Sequence, residues 1–164
     1  MGGSDVAGMT PIVMRAFDEF EIQVDAIVGP GVPPEQRELI KETATSISAD
    51  VRVIRDPDDL PKRMFQSDFA VTTASTTTYE LLALGTPMIS VPVIENQELI
   101  ARSLQTQDLA TVLDYNPGGE DVSGAIGRYV SDNKLRKDRR TRGRELIDGQ
   151  GVIRIVDLIG THVV

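Results

Sequence analysis

The chain has no cysteine, one histidine and four lysines among its 164 residues. Without cysteine there is no disulfide framework, no thiolate nucleophile and no thiolate zinc site. The one histidine, His162, stands in the C-terminal tail. A histidine metal site or a serine–histidine triad is therefore not expected within this chain, and we expect neither metal nor cofactor. No apolar run reaches the roughly 18 residues that cross a bilayer. The opening "MGGSDVAGM" has neither the basic nor the apolar region of a secretion signal. Together these absences point to a soluble, cytoplasmic protein.

Basic residues are also scarce, 17 against 25 acidic, for a net charge of −8 and a pI of about 4.6. That balance excludes general nucleic-acid binding, which needs a basic footprint. Many carboxylates with few ammonium groups is also a pattern of salt adaptation, because hydrated acids keep a protein soluble in brine.

What is present is ample for a core: 40% of residues are hydrophobic and 26% charged, a composition and length that suit one domain. Short apolar strands alternate with helical periods. "EIQVDAIVG" (21–29), "VRVI" (51–54), "FAVTT" (69–73), "PMISVPV" (87–93) and "ATVLD" (110–114) read as strands. Helices are expected from near Thr10, over 32–47, briefly within 56–67, over 76–84 and 96–106, and around 122–131, 134–147 and 152–159. "NPGGED" (116–121) reads as a surface loop. Such alternation predicts a Rossmann-like α/β fold, a parallel sheet with helices on both faces. No repeat or linker divides residues 1–164, which form a single domain. "GGSD" is a turn that normally follows a strand, yet only Met1 precedes it. Gly2 and Gly3 allow close backbone approach, and Ser4 or Asp5 could cap the first helix. We read the chain as part of a larger protein whose first strand lies elsewhere.

The segment "TTASTTTYELLALGTPMISVP" (72–92) puts five threonines and a serine where a strand hands over to a helix. Ligands of parallel α/β sheets bind beyond the carboxyl ends of strands, and a helix N-terminus there attracts phosphate. Thr76, Thr77 and Thr78 would occupy the cap and first turn, with Glu80 at its end, placed to accept hydrogen bonds from a ribose diol. A plain helix cap at Ser75 or Thr76 explains the same residues. The two readings are compatible once the cap faces a cleft.

"GGSD", "ASTTTYELLALGTPMISVPVIENQ" and "DGQGVIRIVDLI" together resemble the C-terminal half of the B-type glycosyltransferase fold. The likeness is to the UDP-sugar hydrolases of pseudaminic acid synthesis and the related spore-coat polysaccharide proteins. It extends more distantly to the N-acetylglucosaminyltransferase of peptidoglycan precursor synthesis. The families' middle motif runs Gly-Gly-Ser-Thr-Thr-Trp-Glu, then an apolar helix and Gly-x-Pro. Ala74, Ser75, Thr76, Thr77, Thr78, Tyr79 and Glu80 take those positions here, with Gly85 and Pro87 following. The resemblance implies a UDP-sugar or related nucleotide sugar as partner. Ser75, Thr76 and Thr77 would lie by the diphosphate, Glu80 by the ribose, and the Asp56–Pro57 turn by the uracil. Asn96 and Gln97 would face the sugar or its phosphate, and Gly2, Gly3 and Ser4 the opposite side of the diphosphate. It also implies that catalysis needs an N-terminal domain outside this chain, since the hydrolases' histidine lies there. Ala74 and Ser75 replace a glycine pair, so a binding module with no working nucleotide site is the alternative.

Two further features have plainer readings. "DPDD" (56–59) contains an Asp-x-Asp spacing that some glycosyltransferases use for a metal–nucleotide pair, but it reads better as a turn before a helix. Seven basic residues in "KLRKDRRTRGR" (134–144) read as a solvated helix face, with an anionic membrane surface the lesser alternative. The acid-rich composition predicts a melting temperature that climbs from low to molar potassium chloride; a flat or falling series would remove the salt-adaptation reading.

Overall fold

The computed structural model describes residues 1–162. Its elements run in chain order as α1 (Met9–Ala16), β1 (Gln23–Val28), α2 (Pro34–Ser46), β2 (Asp50–Arg55) and α3 (Leu60–Gln66). There follow β3 (Ala70–Thr73), α4 (Thr77–Leu84), β4 (Met88–Val91), a 3₁₀ turn (Glu95–Gln97), α5 (Glu98–Thr106) and β5 (Ala110–Val112). Three helices close the chain: α6 (Gly119–Ser131), α7 (Asn133–Leu146) and α8 (Gly151–His162). The fold is the expected α/β arrangement of parallel strands and covering helices.

Where the sheet departs from expectation, it does so by a gap. β1 pairs in parallel with β2, placing Val24 opposite Val51 and Ala26 opposite Val53. β4 lies between β3 and β5, with Val71 opposite Ile89 and Ser90 opposite Val112. The two ladders share no strand pairing. Between them lies a cavity of about 1080 Å³, lined by β1 on one side and β3 on the other.

All four residues of β4 are buried, as a central parallel strand requires. Its side chains alternate between two cores. Ile89 packs among Val13 of α1, Phe17 just after that helix, and Val122, Ile126 and Tyr129 of α6. Met88 packs with Leu81 and Leu82 of α4 and Leu104 of α5. Met14 and Ile40 cover Ala26 and Val28 on the smaller ladder.

One loop begins its helix earlier than the sequence indicates. α6 starts at Gly119, inside "NPGGED", because the Asp121 carboxylate accepts the Gly118 N–H at 3.0 Å and organises the first turn.

Most of the basic run is a solvated face, with Lys134, Lys137, Arg140, Arg142 and Arg144 exposed, but it also stitches helices together. Arg139 is buried and donates to the Tyr129 hydroxyl, to Thr111 Oγ1 at 2.6 Å and to Asp108 at 3.0 Å. Arg142 also pairs with Asp108, and these guanidinium partners hold the Asp108 carboxyl below its ordinary range despite some desolvation. Arg140 donates to the Gly85 carbonyl at 3.1 Å and Arg144 to the Leu84 carbonyl at 2.9 Å. Arg136 does the same for Tyr129 and Val130 at the end of α6. These carbonyls are the ones a helix C-terminus leaves unpaired, so the cations satisfy both the orphan acceptors and the negative dipole end.

Tyr129 is fully buried, and its hydroxyl donates to the Met88 carbonyl while accepting from the Thr111 N–H. It thus ties β4, β5, α6 and Arg139 together. Tyr129→Phe leaves those buried groups short of a partner and is expected to cost about 1–3 kcal/mol, several degrees of melting temperature at this size. A melt within one degree of the parent would show that the hydroxyl is dispensable.

Candidate functional site

The carboxyl ends of β1, β2 and β3 open at one end of the cavity. Gly2 and Gly3 cross this opening. The Gly3 carbonyl accepts from the Gly31 N–H at 3.0 Å, and a Cβ placed on Gly2 would lie 3.5 Å from Thr73 Oγ1. Asp5, in the left-handed region at φ 42°, anchors the turn. Its buried carboxylate accepts the N–H groups of Met9 and Thr10 at 3.0 and 3.1 Å and the Gln36 amide at 2.8 Å. Of the two candidate caps for α1, Asp5 does the capping and Ser4 stays exposed. Gln36, on α2, had no signal in the sequence, because the contact joins residues 31 positions apart.

The α4 N-terminus forms another wall. Helix formation begins at Thr77 with Thr76 as N-cap, and no side chain caps it. Thr76 thus takes the N-cap position that the plain reading allowed it, with Glu80 in the first turn, but neither its hydroxyl nor that of Ser75 makes the capping hydrogen bond. Ser75 instead donates its N–H to the Thr73 carbonyl at 2.8 Å and accepts from Thr73 Oγ1 at 3.2 Å. Thr78 is buried and donates to the Ser75 carbonyl at 2.7 Å, so its hydroxyl serves the turn rather than the cleft. The N–H groups of Thr76 and Thr77 take no partner among the described residues. Thr77 and Glu80 line the cavity; Thr76 and Glu80 are exposed.

Ala74 and Ser75, the residues at the glycine positions, do not intrude. Ala74 is completely buried and donates its N–H to Val91, and neither residue has a positive φ. A backbone that stays outside the left-handed region has no need of glycine.

Asp56 and Pro57 line the same cavity at the end of β2, and the Asp56 N–H donates to the Val28 carbonyl at 2.9 Å. Asp56 also has a positive φ of 42°, so the segment is a tight turn, as its sequence suggests. Asp59 is drawn into an ion pair with Arg63 at 2.7 Å, and that hydrogen bond holds its carboxyl below the usual range. Arg63 also meets Asp25 of β1 at 2.9 Å, and Asp25 meets Arg52 at 2.7 Å. This charged cluster on the cavity wall was not legible in the sequence, since its members lie on separate elements. No group of three or more histidine, aspartate or glutamate side chains suited to a metal occurs among the described residues.

Asn96 and Gln97 do not join this cavity. Asn96 is exposed on the 3₁₀ turn, and Gln97 is buried with its side-chain oxygen accepting the Val93 N–H at 3.0 Å. Of the sequence candidates, Gly2, Gly3, Asp56, Pro57, Thr77 and Glu80 converge on one cavity. Ser4, Ser75, Thr76, Asn96 and Gln97 lie off its walls.

The same architecture occurs in a solved structure of MurG from Acinetobacter baumannii, with a TM-score of 0.77 at 15% identity over 98% of this chain and 48% of that one. The fold is that of half a B-type glycosyltransferase. A second such neighbour is WaaG, a glycosyltransferase of lipopolysaccharide biosynthesis, with a TM-score of 0.62 at 14% identity, covering 90% of this chain and 40% of that one. In sequence the chain is similar to the spore coat polysaccharide biosynthesis protein SpsG of Bacillus subtilis, 25% identical across 97% of this chain. It spans about half the length of that relative, 48%. No family model matches it. No helix among the described residues is long and apolar enough to cross a membrane.

The glycine turn offers a direct test of site geometry. A Cβ on Gly29 would stand 2.4 Å from the Gly3 carbonyl oxygen, a backbone clash that no rotamer relieves. Gly29→Ala should cost about 1–3 kcal/mol and speed exchange of the Gly31 amide. Gly124→Ala, in open space on α6, should instead be neutral or stabilise by up to about 1 kcal/mol. Equal melts for the two variants would contradict the close approach of Gly3 to Gly29.

Proposed function

We propose that this chain is the nucleotide-sugar-binding half of an enzyme of surface-polysaccharide synthesis, acting as a hydrolase or a glycosyltransferase on a UDP-sugar. The observation that carries the reading is the N-terminus of α4. It reaches the cavity at Thr77, whose N–H, like that of the exposed Thr76 beside it, takes no partner among the described residues, and no side chain caps it. Such a helix end holds phosphate through its amides and its positive dipole end.

In this reading the diphosphate sits against Thr76 and Thr77, with the Gly2–Gly3 backbone across from it. Glu80, one turn into α4, accepts from the ribose hydroxyls. Asp56 and Pro57 present the backbone groups of their turn to the base. Helix dipole and hydroxyls then stabilise the charge that builds on the departing diphosphate. A base on a second domain activates water, giving hydrolysis, or an acceptor hydroxyl, giving transfer. The rival reading, a module without a working site, loses its main support because Ala74 is buried and Ser75 is turned into the loop.

Calorimetric titration with UDP, with GDP as comparator, tests this. UDP should bind, and Glu80→Ala should weaken it by roughly 1–3 kcal/mol, the range for a lost hydrogen bond to a charged group. If the full-length protein is folded and UDP binds it no better than GDP, or Glu80→Ala is silent, the assignment fails.

A further inference from the structure

Asp59 stands at the N-cap position of α3, yet its side chain caps nothing there. Its carboxylate turns sideways and accepts from Arg63 Nε at 2.7 Å. This is an i, i+4 pair with the acid on the N-terminal side, the favourable order along a helix. The same guanidinium donates through Nη1 to Asp25 Oδ2 at 2.9 Å. The other Asp25 oxygen is taken at 2.7 Å by Arg52, its partner across the β1–β2 ladder. An acid in the middle of a parallel strand is unusual, because such strands are mostly apolar. Here it gives Arg63 a fixed point on the sheet.

α3 needs that fixed point. None of its seven residues is buried, so packing alone holds it weakly. Its far end is tied to the loop before β4, where Thr86 Oγ1 donates to the Met64 carbonyl at 2.6 Å. Its near end carries the 56–59 turn, of which Asp56, Pro57 and Asp59 line the cavity. The turn is anchored at its start by the Asp56 N–H on the Val28 carbonyl. Beyond that, among the described residues, the one side-chain hydrogen bond to 57–59 comes from Arg63. A guanidinium donates along fixed directions in one plane, so holding Asp59 and Asp25 together sets the distance from the turn to β1. The Arg63 and Asp25 side chains are 30% and 21% exposed, which leaves their attraction less screened than that of a surface pair. No hydrogen bond joins Arg63 or Asp59 to α4 among the described residues.

We propose that Arg63 is a positioning residue for base selection: by holding Asp59 and Asp25 at once it fixes the Asp56–Pro57 turn where it admits a pyrimidine and not the larger purine. The inference rests on the nucleotide reading above. It concerns the base alone, since the diphosphate and ribose contacts of that reading belong to α4.

The test measures UDP and GDP affinities of the full-length protein, of its Asp59→Ala and Arg63→Gln variants, and of the variant carrying both. Asp59 is exposed, so Asp59→Ala removes the tether without opening a core. Each single variant should bind UDP about 10-fold more weakly, the loss expected when a contact surface is no longer preorganised, with GDP affinity unchanged. The double variant should be no weaker than Arg63→Gln, because both changes break the same bond. A purely structural role would weaken both nucleotides together. Three results would overturn the proposal while leaving the nucleotide reading in place: variants that keep the parent's preference for UDP, an equal loss of UDP and GDP, or a double variant showing the sum of the two losses. A parent protein with no preference for UDP would instead remove the nucleotide reading, and this inference with it.

Discussion

α4 is held at one end and open at the other, and much of the molecule is arranged around that asymmetry. Its final carbonyls, Leu84 and Gly85, receive hydrogen bonds from Arg144 and Arg140 of α7. Gly85 takes the left-handed conformation that ends the helix, and a side chain there would meet Arg144 at 2.4 Å. The arginines can reach these carbonyls only because α7 is itself fixed through Arg139 to Tyr129, Thr111 and Asp108. Orphan groups exist at both ends of any helix. Here the protein supplies partners for the acceptor end and leaves donors at the other end facing a cleft.

The same asymmetry explains the density of hydroxyls between β3 and α4. Thr72, Thr73 and Thr78 are buried, and the last two bond within the turn. They shape the passage from strand to helix. Thr76 and Thr77 remain outside that network, next to the unpartnered amides. A run that looks uniform therefore divides into residues that build the turn and residues that face outward. Ala74 and Ser75 belong to the first group, and for that reason their departure from a glycine pair does not obstruct the cleft.

Similarity to known proteins reaches unequally far. Solved structures at 14 and 15% identity establish the architecture and nothing finer. The relation to SpsG covers nearly the whole chain but only half of that protein. The mouth of the cavity carries the candidate nucleotide site, and its length separates the two ladders.

Alternating apolar strands and amphipathic helices were enough to determine the parallel α/β class, because both periods follow from local backbone geometry. Glycine and proline within 29–34 and 85–87 likewise marked where elements stop. Tertiary structure decided everything that depends on distant partners. The basic run reads as a solvated face, and most of it is exposed; that Arg139 also meets Tyr129 and Arg144 meets Leu84 has no local signature. Gln97 reads as a cleft residue until its amide oxygen is seen on Val93. Asp25, Arg52 and Arg63 become a cluster only when β1, β2 and α3 come together. Local pattern specifies which face of an element is apolar; which atoms satisfy a particular carbonyl or guanidinium is settled by packing between segments far apart in the chain.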